Sequence, residues 1–361
     1  MADDLQLRIA HLQLPLTVPY RLAFGEQKRF DTILVGVQDT RGKTGWGEAT
    51  ILPGYTDETV EGAWAFARDV VSQCQSLEDV RAMAKSAAKT SPFAATAFLT
   101  AIDWLNDHPI LHKAGRFPLL GTVNGKAEAQ DALVQEIETL LAAGYKTLKV
   151  KIGWDVERDL KQVKTVQSIV KGRAKLRIDG NQGYTVDQAT AFLSKLDGAD
   201  VELVEQPCAA GDWDAAIAVK RAAGVPVMLD ESIYTLDDIG RAAKLKCADY
   251  IKLKLMKLGN LDSLTRGFEI IADCGMTAVI GNGVAADLGC WMEIAASLDT
   301  VTTAGEMNGF LKTPVQILKP ALRMEGADVV LDGQLPSIDI HAVVNHAVAR
   351  EGNWPGVEAA A

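Results

Sequence analysis

Histidine is missing from the middle of this chain. The five histidines among its 361 residues, His11, His108, His112, His341 and His346, all lie outside positions 113 to 340. Any proton relay in that central stretch must run on another side chain, and lysine is the base that remains. Metal-type cysteine spacing is missing too. Cys74, Cys208, Cys247, Cys274 and Cys290 are scattered and odd in number, which speaks against a zinc cluster or disulfide framework and fits free thiols in a reducing compartment. There is no GxSxG elbow and no Cys–His pair in the central stretch, and "GKTGWGE" lacks the spacing of a P-loop, so a covalent triad and a phosphate cradle are set aside. Positive charge is short: 37 Lys and Arg against 47 Asp and Glu leave a net −10. Nucleic acids and acidic membranes both require a basic surface, so neither is an expected partner. No apolar run approaches the roughly 20 residues that span a bilayer. The opening "MADDLQLRIAHLQLPL" has acidic residues where a secretory signal needs basic ones. The expectation is a cytoplasmic protein with small-molecule chemistry.

What is present is abundant apolar material, 48% of the chain, enough for two domains or one large barrel with additions. Up to about residue 50 the pattern alternates as strands do, with a turn at 40–42, and from about 57 to 107 apolar residues recur three and four apart, as on helices. After Pro118, short β-branched runs alternate with amphipathic helices: "TLKVKIG", "KLRIDG", "VELVEQP", "PVMLDES", "DYIKLKL", "MTAVIGN" and "VTTAGEM", with "PLLGTVNG" as the first strand. Seven or eight such units predict an α/β fold, a (β/α)8-type barrel behind an N-terminal α+β capping domain. The expected divisions are a cap over 1–115, a catalytic barrel over 116–328 and a C-terminal segment, 329–361, that returns to the cap.

Active groups of such barrels stand at the C-terminal ends of the strands. Asp179 closes "KLRID", Glu205 closes "VELVE" and Asp230 closes "PVMLD", one carboxylate per βα unit on one rim. Three converging anions repel unless a cation holds them, and all-oxygen ligation points to Mg2+, with Mn2+ able to substitute. Lys149 and Lys151 lie on the strand before the first carboxylate, Lys252 and Lys254 on the strand after the last. A lysine beside a metal and other cations has its charged form disfavoured and acts as a base near neutral pH.

These motifs in this order, "LKVKIG", "RIDGNQGY", "VEQP", "LDES" and "KLKLMKLGN", resemble the enolase superfamily in its muconate-lactonizing, muconate cycloisomerase-like subgroup, across essentially the whole chain. The resemblance implies Asp179, Glu205 and Asp230 as Mg2+ ligands, with Asn181, Glu231 and Lys252 supporting them. It implies Lys151 and Lys254 as the catalytic acid/base pair, and Lys149 on the carboxylate of a small substrate. The implied chemistry is removal of a proton α to a carboxylate through a metal-stabilised enediolate. Cap loops around 20–24 and 53–57 are expected to close over the site, with Tyr20, Phe24 and Tyr55 as a partly aromatic lid. Dipeptide epimerases of this family carry an Asp-x-Asp pair where this chain has Asn282 and Gly283, which points away from a dipeptide, and Glu306 is a candidate for a substrate cation. The first reading is dehydration of a small hydroxylated amino acid such as 3-hydroxyproline. The alternative is a racemase or epimerase of a proline-like or N-substituted amino acid, or a cycloisomerase. Two other classes stand beside these: a Schiff-base aldolase using Lys151 or Lys254, and a non-catalytic metal-binding barrel. A homo-oligomer is the expected state.

Overall fold

Alternating apolar residues build the first sheet. The structure is a computed structural model that describes residues 5–22, 25–282 and 284–354, without the side chains of 20–22 and 25. Strands β1 (Gln6–Leu22), β2 (Gly25–Gln38) and β3 (Thr44–Ile51) pair antiparallel. Three helices follow, α1 (Val60–Gln73), α2 (Leu77–Ala87) and α3 (Pro92–Leu105). Helix α3 is apolar nearly all round and buried along almost its whole length, as a helix wedged between two layers must be. Its approach to β3 depends on glycine: a Cβ at Gly47 would lie 2.0 Å from the Ala97 carbonyl oxygen, and one at Gly45 would lie 2.1 Å from that of Ala101.

A short strand β4 (Ala114–Pro118) leads into a parallel sheet. Its strands are β5 (Gly121–Val123), β6 (Thr147–Lys151), β7 (Lys175–Asp179), β8 (Val201–Glu205), β9 (Val227–Leu229), β10 (Tyr250–Leu253) and β11 (Thr277–Ile280), adjacent in sequence order. Between them run α4 (Gln130–Ala142), α5 (Val156–Val170), α6 (Val186–Lys195), α7 (Trp213–Ala222), α8 (Leu236–Leu245), the one-turn α9 (Leu255–Leu258) and α10 (Leu261–Asp273). Capping residues set where these helices begin: Asp155, Asp212 and Asn260 accept from the first turn, and Thr185 with Gln188 and Thr235 with Asp238 form capping boxes.

The expected eighth strand, "VTTAGEM", is not a regular strand. A single bridge joins Leu119 to Gly305, and the backbone of Glu306 donates to Ile280 at 3.0 Å, so this segment links β11 to the chain entering β5. Gly305 permits the crossing, because a Cβ there would meet Phe117 and Met307 at 2.7 Å. Helix α11 (Asp287–Ser297) packs behind it, fully buried.

The remaining chain forms β12 (Leu318–Lys319), β13 (Arg323–Glu325), β14 (Asp328–Asp332), β15 (Ser337–Ile338), α12 (Ile340–His346) and β16 (Ala347–Glu351). Strand β14 pairs with β4, and β16 adds to β1 as the fourth strand of the first sheet. The divisions expected at 115/116 and 328/329 thus fall within β4 and at the start of β14, and 355–361 lie outside the described residues. No helix among the described residues is long and apolar enough to cross a membrane.

Candidate active site

Strand register brings the charged residues to one rim. Lys151, Asp179 and Glu205 end β6, β7 and β8 and lie side by side in the ladder. Asp230 directly follows β9 and Lys254 directly follows β10. In the sheet order the strands carrying the three carboxylates separate Lys151 from Lys254. Above this rim lies a cleft of about 720 Å³, lined by Lys149, Lys151, Asp179, Asn181, Glu205, Asp230, Glu231, Lys254, Asn282 and Glu306 from the barrel, and by Thr17–Pro19, Leu52, Gly54 and Tyr55 from the first domain. Of the expected lid, Tyr55 is therefore in place. The Tyr20 side chain and Phe24 lie outside the described residues, as does Gly283 beside Asn282.

The carboxylates and lysines interleave. Lys149 Nζ lies 2.9 Å from Asp179, 3.1 Å from Glu205 and 3.0 Å from Glu306. Lys252, fully buried below the cleft, reaches Glu205 at 2.5 Å and Glu306 at 2.7 Å. Lys254 Nζ donates to Asp230 at 2.9 Å and to the Tyr55 hydroxyl at 2.6 Å, and the Tyr55 hydroxyl donates to Asp230 at 3.3 Å. Asn181 holds Asp179 through its backbone and its amide. Arg177 ties β7 to Glu202 and to the Ala304 carbonyl, steadying the segment that carries Glu306.

Lys149 lines the cleft while lying largely buried among three carboxylates. Both oxygens of Glu306 are engaged by Lys149, and Oε1 by Lys252 as well. With these partners, and against the effect of burial, Glu306 is held far below the usual carboxylate range. Burial would lower Lys254, but Asp230 and Glu231 outweigh it and push its pKa above the ordinary lysine range.

Sequence reasoning missed Lys257. It projects from α9 with its side chain fully buried, 2.8 Å from Asp230 Oδ1 and 2.6 Å from the Asp230 carbonyl, and burial pushes its pKa down to about 8. The signal was the i, i+3 spacing from Lys254 in "KLMK", which one helical turn places on a shared face. Burial would raise Asp230, but Lys254, Lys257 and Lys252 together hold it well below its usual range.

Among the described residues no group of three carboxylates, histidines or cysteines is set to close on one ion as it stands, because lysine ammonium groups occupy the space between the acids. The donor chemistry nevertheless fits a hard divalent cation. Glu205 Oε2 is 3.1 Å from Lys149 but forms no hydrogen bond, and Glu231 Oε2 has none either. Burial, with Asp179 adding, raises Glu205 to about 8, and burial, with Asp230 adding, raises Glu231 to about 7. Each keeps one buried oxygen without a hydrogen-bond donor, which a cation would answer.

Known proteins of similar sequence and fold share this frame. A family profile described as Enolase C-terminal domain-like matches residues 132–335. An aromatic dipeptide epimerase from Herpetosiphon aurantiacus is 31% identical over 76% of this chain and 80% of its own length. An o-succinylbenzoate synthase from Geobacillus kaustophilus is 30% identical over 78% of each. The structure of N-succinyl Arg/Lys racemase from Bacillus cereus superposes with a TM-score of 0.84 at 20% identity, covering 98% of this chain and 100% of that one. A profile spanning more than half the chain and relatives spanning three quarters of it converge on the fold that puts these lysines and carboxylates on one rim, and the chain belongs to the enolase superfamily, as an enzyme of the isomerase or lyase kind.

Proposed function

We propose that this protein moves the α-proton of a small amino-acid-derived carboxylate from one face to the other, as a racemase or epimerase. The observation that carries the reading is the placement of Lys151 and Lys254 at the ends of β6 and β10, on either side of the carboxylate-bearing strands. A proton removed on one side and returned from the other inverts the carbon, and two amines in those places are what inversion requires. Among relatives, the epimerase and racemase names favour inversion over the dehydration of a hydroxylated amino acid.

Enolase superfamily members generally use Mg2+, and Asp179, Glu205 and Asp230 would hold it here. When bound, such an ion supplies positive charge for carboxylate oxygens that gain charge as the α-proton leaves. In the cleft and directly beneath it, Lys149, Lys151, Lys252, Lys254 and Lys257 stand against Asp179, Glu205, Asp230, Glu231 and Glu306, equal numbers of each formal charge when all are ionised. A divalent ion therefore leaves a surplus of two positive charges, which suits an anionic substrate. Asp230 is the main group holding Lys254 charged, so engaging Asp230 elsewhere lets Lys254 Nζ accept a proton. Tyr55 fixes that amine from the cap side, and Leu52 and Gly54 help cover the cleft from water.

The test is a screen of separate enantiomers of small amino-acid derivatives in D2O with Mg2+. Deuterium should enter Cα of both enantiomers with the wild type. Lys254→Ala should exchange one enantiomer only and Lys151→Ala the other, each with turnover down about 10²–10⁴-fold, the usual worth of a general base. Turnover near wild type in both variants would refute the two-lysine reading.

A further inference from the structure

The face of the first sheet turned away from α3 carries a cation that no acid answers. Strand register sets Arg8, Gly36 and Trp46 in one row across β1, β2 and β3, and Gln38 beside Thr44 in the next row on the same face. Gly45 and Gly47 meet α3, so Trp46 between them points the other way, and both rows with it. Gly36 keeps the first row flat. A Cβ there would lie 2.7 Å from both Arg8 Cγ and Trp46 Cζ3, so the Arg8 stem can cross β2 only over a glycine. The guanidinium ends 5.8 Å from the Trp46 ring and donates from Nη2 to Gln38 Oε1 at 2.8 Å. Gln38 is fixed in turn, donating to the Gly42 carbonyl at 2.9 Å.

Arg8 is only 4% exposed, its Nε has no hydrogen-bond partner, and no carboxylate among the described residues pairs with it. Burial alone pushes its pKa down, with no acid pulling it back. A buried charge is costly unless something pairs with it. Beside it opens a second cavity, of about 340 Å³, lined by Arg8, Gln38, Thr44 and Trp46 from the sheet and closed by Ile338, Ile340 and Asn353 from the C-terminal segment. It shares no lining residue with the cleft. Thr17, where β1 reaches the cleft, lies on the order of 30 Å farther along the strand at the usual rise.

We propose that this cavity is a binding site for a small organic monocarboxylate with an apolar body: the Arg8 guanidinium takes the carboxylate, and Trp46, Ile338 and Ile340 take the body. Arginine's planar fork of donors matches a carboxylate. A single guanidinium answers a single charge, and the other polar groups of the lining, Gln38, Thr44 and Asn353, are neutral.

Benzoate is the probe, and benzamide is its neutral counterpart of the same shape. The full-length protein with Mg2+ is titrated with each by calorimetry, beside Arg8→Met, which removes the charge, and Lys254→Ala, which alters the cleft. The wild type should bind benzoate at least tenfold more tightly than benzamide. Arg8→Met should lose that preference at least tenfold, and Lys254→Ala should keep it. Benzoate should also raise the unfolding midpoint of the wild type and not that of Arg8→Met, whose own midpoint should hold or rise, since an unpaired buried charge has gone. Should Arg8→Met fold poorly, Thr44→Phe decides: its ring enters the cavity and should cut benzoate affinity at least tenfold with circular dichroism unchanged. A wild type that binds no benzoate, or binds benzamide equally, overturns the proposal. So does benzoate binding that survives in Arg8→Met and vanishes in Lys254→Ala, which would place the acid in the cleft. Inorganic phosphate binding as tightly as benzoate would overturn the organic acid as the ligand class.

Discussion

At the scale of single residues, the carboxylates were legible because a charge closing an apolar strand run is abnormal, and three of them one βα unit apart are more so. Lys257 was not, because a lysine in a helical turn is ordinary, and only the fold shows that α9 points it inward at Asp230. The partners of Glu306 were hidden for a similar reason: its place at a strand end could be read, but not that Lys149 and Lys252 converge on it from β6 and β10. Glu205→Gln removes charge and keeps volume. It should lower Mn2+ affinity by more than the roughly 10–100-fold that changes to groups outside the ligand set cost, abolish turnover and leave circular dichroism unchanged. Lys257→Met takes one of three lysines from Asp230. The loss of a charge-assisted hydrogen bond, about 1.5–3 kcal/mol, should show as a fall in kcat/KM of roughly tenfold or more.

Secondary-structure elements were more legible than their closure. Strands β6 to β11 and the helices between them follow from apolar runs and capping residues such as Thr185 and Thr235, local signals that need no tertiary context. The eighth strand failed because Val301, Thr302 and Thr303 have strand propensity but pairing is decided by partners: Leu119 offers one bridge, at a glycine. The closeness of α3 to β3 could not be read either, since Gly45 and Gly47 could equally have marked a turn. Their role gives a test. Gly47→Ala would place a methyl 2.0 Å from the Ala97 carbonyl, and overpacking of this kind costs about 1–3 kcal/mol. The midpoint of thermal unfolding should fall, with the cleft chemistry retained in the molecules that remain folded.

Across the whole molecule, the joint between cap and barrel is built on buried acids. Glu48 on β3 accepts from the backbone of Gly289, Glu293 on α11 from that of Leu255, and Asp287 from that of Leu318. Each keeps one buried oxygen without a partner. Burial raises Glu48 to about 8, with Asp287 adding; it raises Glu293 to about 7 and Asp287 to about 6. A carboxyl whose folded pKa lies above its unfolded value contributes stability below the unfolded value and loses it as pH rises through the folded one. The unfolding midpoint should therefore fall between pH 5 and 7.5, with a shallower slope in Glu48→Gln. Asp230 and Glu306, shifted the other way, lose their contribution only at lower pH, and a flat profile across that window would refute the assignment. The balanced floor of the cleft has a different consequence, for the order in which the enzyme matures. Where a metal is the sole counter-charge, the chain cannot finish folding until the ion arrives. Here lysines stand in for it, so translation and folding can run to completion first and metallation can follow as a separate, reversible event. A thorough chelator should silence the enzyme while barely moving its unfolding midpoint, and adding the ion back should restore activity without refolding.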